Sequence, residues 1–374
     1  MGIPMNKPVR VLIVDDSPLI QQLLTELLSA DPEIEVVGTA GDPYIARDRI
    51  KALNPDVVTL DIEMPRMDGV TFLRKIMTLR PMPVIMISTL TKAAADITLQ
   101  ALEAGAVDFV AKPTTNVANT WAELSEELQG KVKAAAKMRI GARPAPQAAS
   151  VLRRERAVDT SRKIVAIGAS TGGVEALKQL LVNLPAVCPP ILITQHMPPR
   201  FTAAFAERLN RECPMTVCEA AHNDIVQPNR VYIAAGSHHL ELARVGGRYQ
   251  CSLSDTPAVS GHRPSVDVLF RSVARTAGNA AVGVILTGMG KDGAEGLLEM
   301  RKAGAITLGQ DEASALIYGM PRVAFERGAV MRQFPLSRMA DAILDACEEG
   351  KAQIRNARSP QAATPGRVGE PLKT

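Results

Sequence analysis

The chain has 374 residues, of which 46% are hydrophobic and 22% charged, with a formal net charge of +4. At roughly 150 residues per domain, that length predicts two domains, each with enough apolar residues for a buried core. Aromatics at 3% exclude stacking platforms for single-stranded nucleic acid, and the weak, dispersed positive charge argues against a DNA-binding surface. The sequence contains no apolar run of about 18 residues, so no transmembrane span is expected. Met1 to Arg10 lacks the apolar segment of a secretory signal. The five cysteines (Cys188, Cys213, Cys218, Cys251 and Cys347) are odd in number and lack zinc-type pairing, which predicts reduced thiols and a cytoplasmic location.

From Val9 to about Gln129, short apolar runs alternate with amphipathic stretches. Strands are expected at Val9–Val14, Glu35–Ala40, Val57–Leu60, Val84–Ile87 and Phe109–Ala111. Helices are expected at Leu19–Ser29, Tyr44–Leu53, Gly69–Leu79, Thr91–Glu103 and Thr120–Lys137. Such alternation predicts a doubly wound parallel α/β sheet, whose active site lies at the carboxyl ends of its strands. "LIVDDSP" puts Asp15 and Asp16 at one such end, and "VVTLDIEMPRMDG" puts Asp61 at another. Three neighbouring carboxylates repel one another unless a hard divalent cation neutralises them, and Mg²⁺ prefers such oxygens. Ser88 ends the fourth strand and Lys112 follows the fifth. A carboxylate nucleophile, a metal, a cation and a hydroxyl make a site for phosphoryl transfer to aspartate. The alternative, that each Asp only caps a helix, suits any one position better than all of them together.

These residues resemble a response-regulator receiver domain over residues 9–125. The resemblance implies that Asp61 is the phosphoacceptor and that Asp15, Asp16, Asp61 and the Glu63 carbonyl hold Mg²⁺. It also implies Ser88 as the switch hydroxyl, Lys112 as the invariant lysine, Phe109 as the reporting aromatic, and a histidine kinase as phosphodonor.

About Gly141 to Thr160 the composition turns to Ala, Arg, Pro, Gln and Ser, the mark of a flexible linker, placed at residues 130–161. A second strand–helix series follows over 162–350. Ile164–Gly168, Ile191–Gln195, Val231–Ala235 and Val282–Thr287 read as strands. Leu240–Val245 and Tyr249–Ser254 flank Gly246-Gly247 as a β-hairpin. Val174–Leu181, Val266–Ala277, Ala294–Lys302 and Ser337–Glu348 read as helices. Residues 351–374 are polar and contain Pro and Gly, a disordered-tail composition.

The first strand of this series runs into "GASTGG", where Gly168 to Gly172 fit the G-x-S-x-G elbow around Ser170. The same loop could cradle a phosphate, although neither dinucleotide nor P-loop spacing is present. "ILITQHMPPRFT" puts His196 at the next strand end, and "VGVILTGMGKDG" delivers Asp292 into a Gly-rich loop. Nucleophile, base and orienting carboxylate make a triad in the order Ser, His, Asp, which is neither that of α/β-hydrolases nor that of chymotrypsin-like proteases. His222, His238, His239 and His262 show no metal-ligand spacing, and Asp267 is equally suited to function or to anchoring a loop.

"IGASTGG", "QHMPPRFT", "RPSVDVLF" and "LTGMGKDGAEGL" carry a resemblance over residues 163–349 to the catalytic domain of the chemotaxis protein-glutamate methylesterases. It implies a Rossmann-like serine hydrolase that needs no esterase-site cofactor. Ser170 would be nucleophile, His196 base and Asp292 its partner, with Met289 N–H as oxyanion donor. Thr171 and Gln195 would lie near the site, and Arg200 would grip a receptor helix. The implied function is phosphorylation-regulated hydrolysis of glutamyl γ-methyl esters on chemotaxis receptors, with deamidation of receptor glutamines. Two rivals are a receiver-regulated transcription factor, which needs a basic recognition helix that is missing here, and a receiver joined to a nucleotide-binding or scaffolding domain.

Overall fold

A computed structural model describes residues 7–112, 118–138 and 163–358. The N-terminal domain comprises β1 (Val9–Val14), α1 (Pro18–Ser29), β2 (Ile34–Ala40), α2 (Pro43–Leu53) and β3 (Val57–Asp61), followed by α3 (Gly69–Leu79), β4 (Val84–Ser88), α4 (Lys92–Ala104), β5 (Asp108–Ala111) and α5 (Ala118–Ala136). Its five strands are parallel in the order β2-β1-β3-β4-β5. All five strands and helices of this half lie close to where alternation predicts them. The strands end where the apolar runs end, and Asp42, Asp68 and Thr91 each accept the first free amides of the following helix. The order in which strands are added reverses between β1 and β3, which brings Asp15 and Asp61 to the switch point.

The C-terminal domain opens with β6 (Ile164–Ala169), α6 (Gly173–Val182), β7 (Ile191–Gln195), α7 (Phe201–Glu212), β8 (Thr216–Glu219) and β9 (Arg230–Ile233). The hairpin β10 (His239–Val245) and β11 (Arg248–Ser254) comes next, then α8 (Val266–Ala277), β12 (Ala281–Ile285) and α9 (Ala294–Lys302). β13 (Ile306–Gln310), α10 (Met320–Glu326), β14 (Arg332–Phe334) and α11 (Leu336–Arg358) complete it. Seven parallel strands run β14-β13-β12-β6-β7-β9-β8. The chain leaves β6 toward β7 and later returns to its other side at β12, so the switch point lies beside the end of β6. The hairpin stands apart as its own sheet, turned by Gly246 and Gly247 at φ 56 and 81.

Several elements were not expected from the sequence. α7 begins directly after Pro-Pro-Arg, a turn in which Arg200 takes φ 74. Its apolar face (Phe201, Ala204, Phe205, Leu209) has helical spacing that the preceding prolines obscure. β8, β13, β14 and α10 are too short to show a period. Two expected boundaries change. α5 remains helical through Ala136, inside the span assigned to the linker from residue 130, because Leu128, Val132 and Ala135 pack on the N-terminal core. α11 continues to Arg358, into the span assigned to the tail. Residues 139–161 of the expected linker and 359–374 of the tail lie outside the described residues. No helix among the described residues is long and apolar enough to cross a membrane.

The two domains share one buried apolar cluster. α4 packs on α6 and α7, and the Phe109 ring stacks on Phe201 with centroids 4.6 Å apart.

Tight packing also brings α8 against β6. A Cβ added at Gly168 would sit 2.1 Å from Val266 Cγ1. Gly168→Ala is therefore expected to destabilise the protein by about 1–3 kcal/mol in urea denaturation. Adding Val266→Ala, which removes the colliding methyls, should recover part of the loss; a double variant as unstable as the sum of the two singles would refute this account.

Candidate active site and phosphorylation pocket

Ser170 follows β6, His196 follows β7 and Asp292 lies in the loop after β12. Three adjacent strand ends thus deliver side chains separated by 26 and 96 residues. His196 Nδ1 is 3.1 Å from Ser170 Oγ, and His196 Nε2 is 2.8 Å from Asp292 Oδ2. Since a carboxylate only accepts, the imidazole proton belongs on Nε2, and Nδ1 is left to receive the serine proton. The His196 and Asp292 side chains are 8% and 1% exposed.

Asp292 is held by more than the histidine. Its Oδ1 accepts from Ser265 Oγ (2.8 Å) and Asp267 N (3.1 Å), and its Oδ2 accepts from Val266 N (2.7 Å). These amides form the N-terminus of α8, where the helix field favours an anion. Burial works to raise the Asp292 pKa, but the His196 bond and the α8 amides outweigh it and hold it below the usual carboxylate range. Asp267 has a different task. Its Oδ1 accepts from Gly296 N at 2.7 Å, tying α8 to α9, while burial pushes its pKa up. This geometry makes it an anchor.

The nucleophile turn is braced on both sides. Gln195 Nε2 donates to Ser170 O (3.0 Å) and His196 O (3.2 Å). Gln195 is 3% exposed, and these two bonds brace the serine turn against the end of β7. Thr287 Oγ1 donates to Thr171 O (2.9 Å) and accepts from Ile317 N (2.9 Å). A Cβ at Gly288 would lie 2.8 Å from Ser170 Cβ, so the backbone leading into Met289 passes directly against the serine. Thr171 is 2% exposed, and its Oγ1 has no hydrogen-bond partner. Arg200 is exposed and donates to Leu90 O of the N-terminal domain at 3.3 Å. This bond ties it to the other domain.

In the N-terminal domain, one carboxylate oxygen each of Asp15, Asp16 and Asp61 falls within 4.8 Å of the others. Lys112 Nζ reaches Asp15 Oδ2 at 2.9 Å and Asp61 Oδ2 at 2.8 Å. One ammonium against three acids leaves uncompensated negative charge, so the donor set fits a divalent cation. Burial, followed by the charge of Asp15, pushes Asp61 up to about 6 despite Lys112. The hydrogen bonds of Lys112 to both acids outweigh its own burial and raise its pKa. Asp16, Asp61 and Lys112 open on a cavity of about 830 Å³ that Glu63 also lines. Ser88 is buried, with Oγ 2.8 Å from Thr98 Oγ1, and Phe109 is 4% exposed.

Residues 165–343 match the family model described as CheB methylesterase, and residues 11–119 match that of the response regulator receiver domain. The protein-glutamate methylesterase/protein-glutamine glutaminase 1 of Caulobacter vibrioides is 58% identical over 340 residues, covering 90% of this chain and 97% of that protein. The chain belongs to this methylesterase family. The corresponding protein of Xanthomonas campestris pv. campestris is 52% identical over 353 residues, covering 91% of this chain and 98% of that one. Among solved structures, the Thermotoga maritima CheB methylesterase catalytic domain aligns with a TM-score of 0.49 and 35% identity, covering 50% of this chain and 98% of that chain.

The receiver domain reaches the methylesterase site through α5. A Cβ on Gly130 would lie 2.6 Å from Met289 Cε. Glu103 of α4 is gripped by both Lys178 and Arg208, and Lys178 also holds Glu212 at 2.7 Å. Docking of the receiver over the catalytic face was expected from the sequence, but not the helix that makes this contact, because nothing in an isolated helix pattern says which remote surface it covers. Sequence reasoning also left His262 unassigned, although that ring stacks on His196 with centroids 3.7 Å apart. The other histidines have structural bonds: His239 Nδ1 accepts from Ser265 N (3.1 Å), and His222 Nδ1 accepts from Leu253 N (3.1 Å). The cysteines are unpaired, and burial pushes Cys188 to about 11 and Cys251 and Cys347 to about 12, which leaves these three without thiolate character.

The depressed pKa of Asp292 has a sign that can be checked. Its contribution to stability is complete above the ordinary value of 3.8 and is lost as pH falls through the lower folded value. Asp292→Asn should lower stability at pH 7 by about 1–3 kcal/mol. The gap between variant and parent should narrow as the medium is acidified below that ordinary value. Denaturant titrations at a series of pH values measure it, and a gap that widens with acid would refute the assignment.

Proposed function

We propose that the chain hydrolyses glutamyl γ-methyl esters on chemotaxis receptors, releasing methanol, and deamidates receptor glutamines by the same route. The observation that carries this reading is the Ser170–His196–Asp292 hydrogen-bonded chain at the sheet's switch point. His196 Nδ1 takes the Ser170 proton as Oγ attacks the γ-carbonyl carbon. Asp292 keeps the imidazole proton on Nε2 and stabilises the imidazolium that forms. The oxyanion is received by the amides of Thr171 and Met289 at the strand ends around the serine, a contribution worth about 10²–10³ in turnover per donor. His196 then returns its proton to the leaving methanol, or to ammonia from a glutamine. Water, activated by the same base, cleaves the acyl-serine to free glutamate. One apparatus serves both substrates because both pass through the same glutamyl acyl intermediate.

The receiver domain controls access. Asp61 is the phosphoacceptor and a histidine kinase the donor. Asp15, Asp16 and Asp61, with the Glu63 carbonyl, hold Mg²⁺, which when bound neutralises the charge gathered there. Lys112 and Ser88 reach the new phosphoryl oxygens. Ser88 must leave Thr98 to do so, and Phe109, one strand away, is stacked against Phe201 of the methylesterase domain. Phosphorylation therefore acts on the contact that holds α5 over Met289. A cytoplasmic setting belongs to this reading, and the unpaired cysteines suit a reducing compartment.

Ser170→Ala should lose methanol release from methylated receptors by about 10⁴-fold or more, at unchanged melting temperature. Near-normal turnover by that variant would sink the assignment. Glu103→Lys, which sets a cation against Lys178 and Arg208, should raise the unphosphorylated rate by about 5- to 50-fold and blunt the response to a small phosphodonor. An unchanged basal rate with full phosphodonor response would remove the docked receiver from the account.

A further inference from the structure

The Ser170 and Asp292 bonds attach to opposite edges of the His196 ring, at Nδ1 and Nε2. Two such bonds define a line through the imidazole but leave its tilt about that line open. A tilted ring keeps both partners near while turning the Nδ1 lone pair away from the serine proton. What fixes the tilt is on the ring's face: His262 lies parallel to it, with centroids 3.7 Å apart and 17° between planes. His262 comes from the loop just before α8, the helix whose amides hold Asp292. One short segment thus secures both the carboxylate and the plane of the base.

We infer that His262 is a positioning residue for this reaction, a flat neutral side chain that sets the plane of His196 and shields one face of it from water. The inference rests on the triad reading above. Its charge state suits the role. Burial, and after it the proximity of His196, lower the His262 pKa to about 4, while Asp292 opposes this. From the receiver's α5, Glu127 and Lys131 also act on it, with opposite signs. The ring is therefore neutral at pH 7 and sets no positive charge against the imidazolium that forms as Ser170 attacks. A neutral aromatic face beside that cation is mildly attractive.

The test uses the full chain activated with a small phosphodonor and measures methanol release from methylated receptors. His262→Ala should lower kcat by about 10- to 100-fold, since small misplacements of a reacting group cost that much. KM should stay within about twofold, because the ring acts on the base and not on the substrate. His262→Phe keeps a flat ring and should restore most of kcat, whereas His262→Leu, of similar bulk but not planar, should behave like alanine. Between about pH 7.5 and 9, above the ordinary histidine value, the phenylalanine variant should keep the parent's profile, as a neutral ring contributes no ionisation. An alanine variant within twofold of the parent, a loss confined to KM, equal activities for phenylalanine and leucine at equal melting temperature, or an ionisation lost from the profile would each overturn the inference. Ser170→Ala separates the two levels. If it is inactive while His262→Ala is fully active, only the positioning role fails; if it is active, the triad fails first.

Discussion

A buried carboxylate must find donors or give up its charge, and Asp292 organises the methylesterase domain by finding four. Ser265 Oγ, two amides at the start of α8 and the His196 ring all converge on its two oxygens. The helix satisfies its own free amides in the same act, so local folding and the geometry of the site are one requirement. The influence spreads outward through residues that never approach a substrate. His239 holds the Ser265 amide, and Asp267 binds the first turn of α9. Close approach of α8 requires a glycine next to Asp292: a Cβ at Gly293, which has φ +87, would be 2.5 Å from Val266 Cγ1.

The two domains use one architectural rule for different chemistry. Each gathers its polar groups at the carboxyl ends of parallel strands beside a switch point. In the receiver the strand ends carry acids, and the result is a negatively charged pocket with Lys112 as its counter-charge. In the methylesterase domain they carry a serine, a histidine and one acid in hydrogen-bond series. The contact between the domains is made by neither set of strand ends facing the other. It is made by the side of the receiver formed by α4, β5 and α5, and so a change at Asp61 has to be relayed through packing.

Much of this was legible in the sequence because it is local. Strand ends at Val14, Leu60 and Gln195 are marked by an apolar run stopping at a polar residue, and that marking also identifies the acids and His196. The G-x-S-x-G turn names Ser170 because a sharp strand-to-helix turn needs small residues. What was not legible depends on partners distant in the chain. Gln195 sits next to His196 and invites a functional role, and only the fold shows that its Nε2 donates to Ser170 O and His196 O. His262 carries no motif, and only the fold brings it onto His196. The helix α7 is amphipathic, but its first residue, Phe201, is buried against Phe109 of another domain, a partner that no periodicity reveals.

That aromatic pair explains how a weak signal can control access to the site. In the proposed regulation, phosphoryl binding reorganises a few polar contacts around Ser88 and Lys112, a perturbation worth about a few kcal/mol. Prying apart a large apolar interface would need more. The interface here joins an apolar part, in which Phe109 stacks on Phe201, to a half-buried ionic cluster, in which Glu103 meets Lys178 and Arg208. The ring pair adds about 0.5–1.5 kcal/mol beyond its burial. In the proposed regulation the signal acts on the polar part of this mixed contact, whereas a fully apolar seal over Met289 would offer phosphorylation no polar contact to act on.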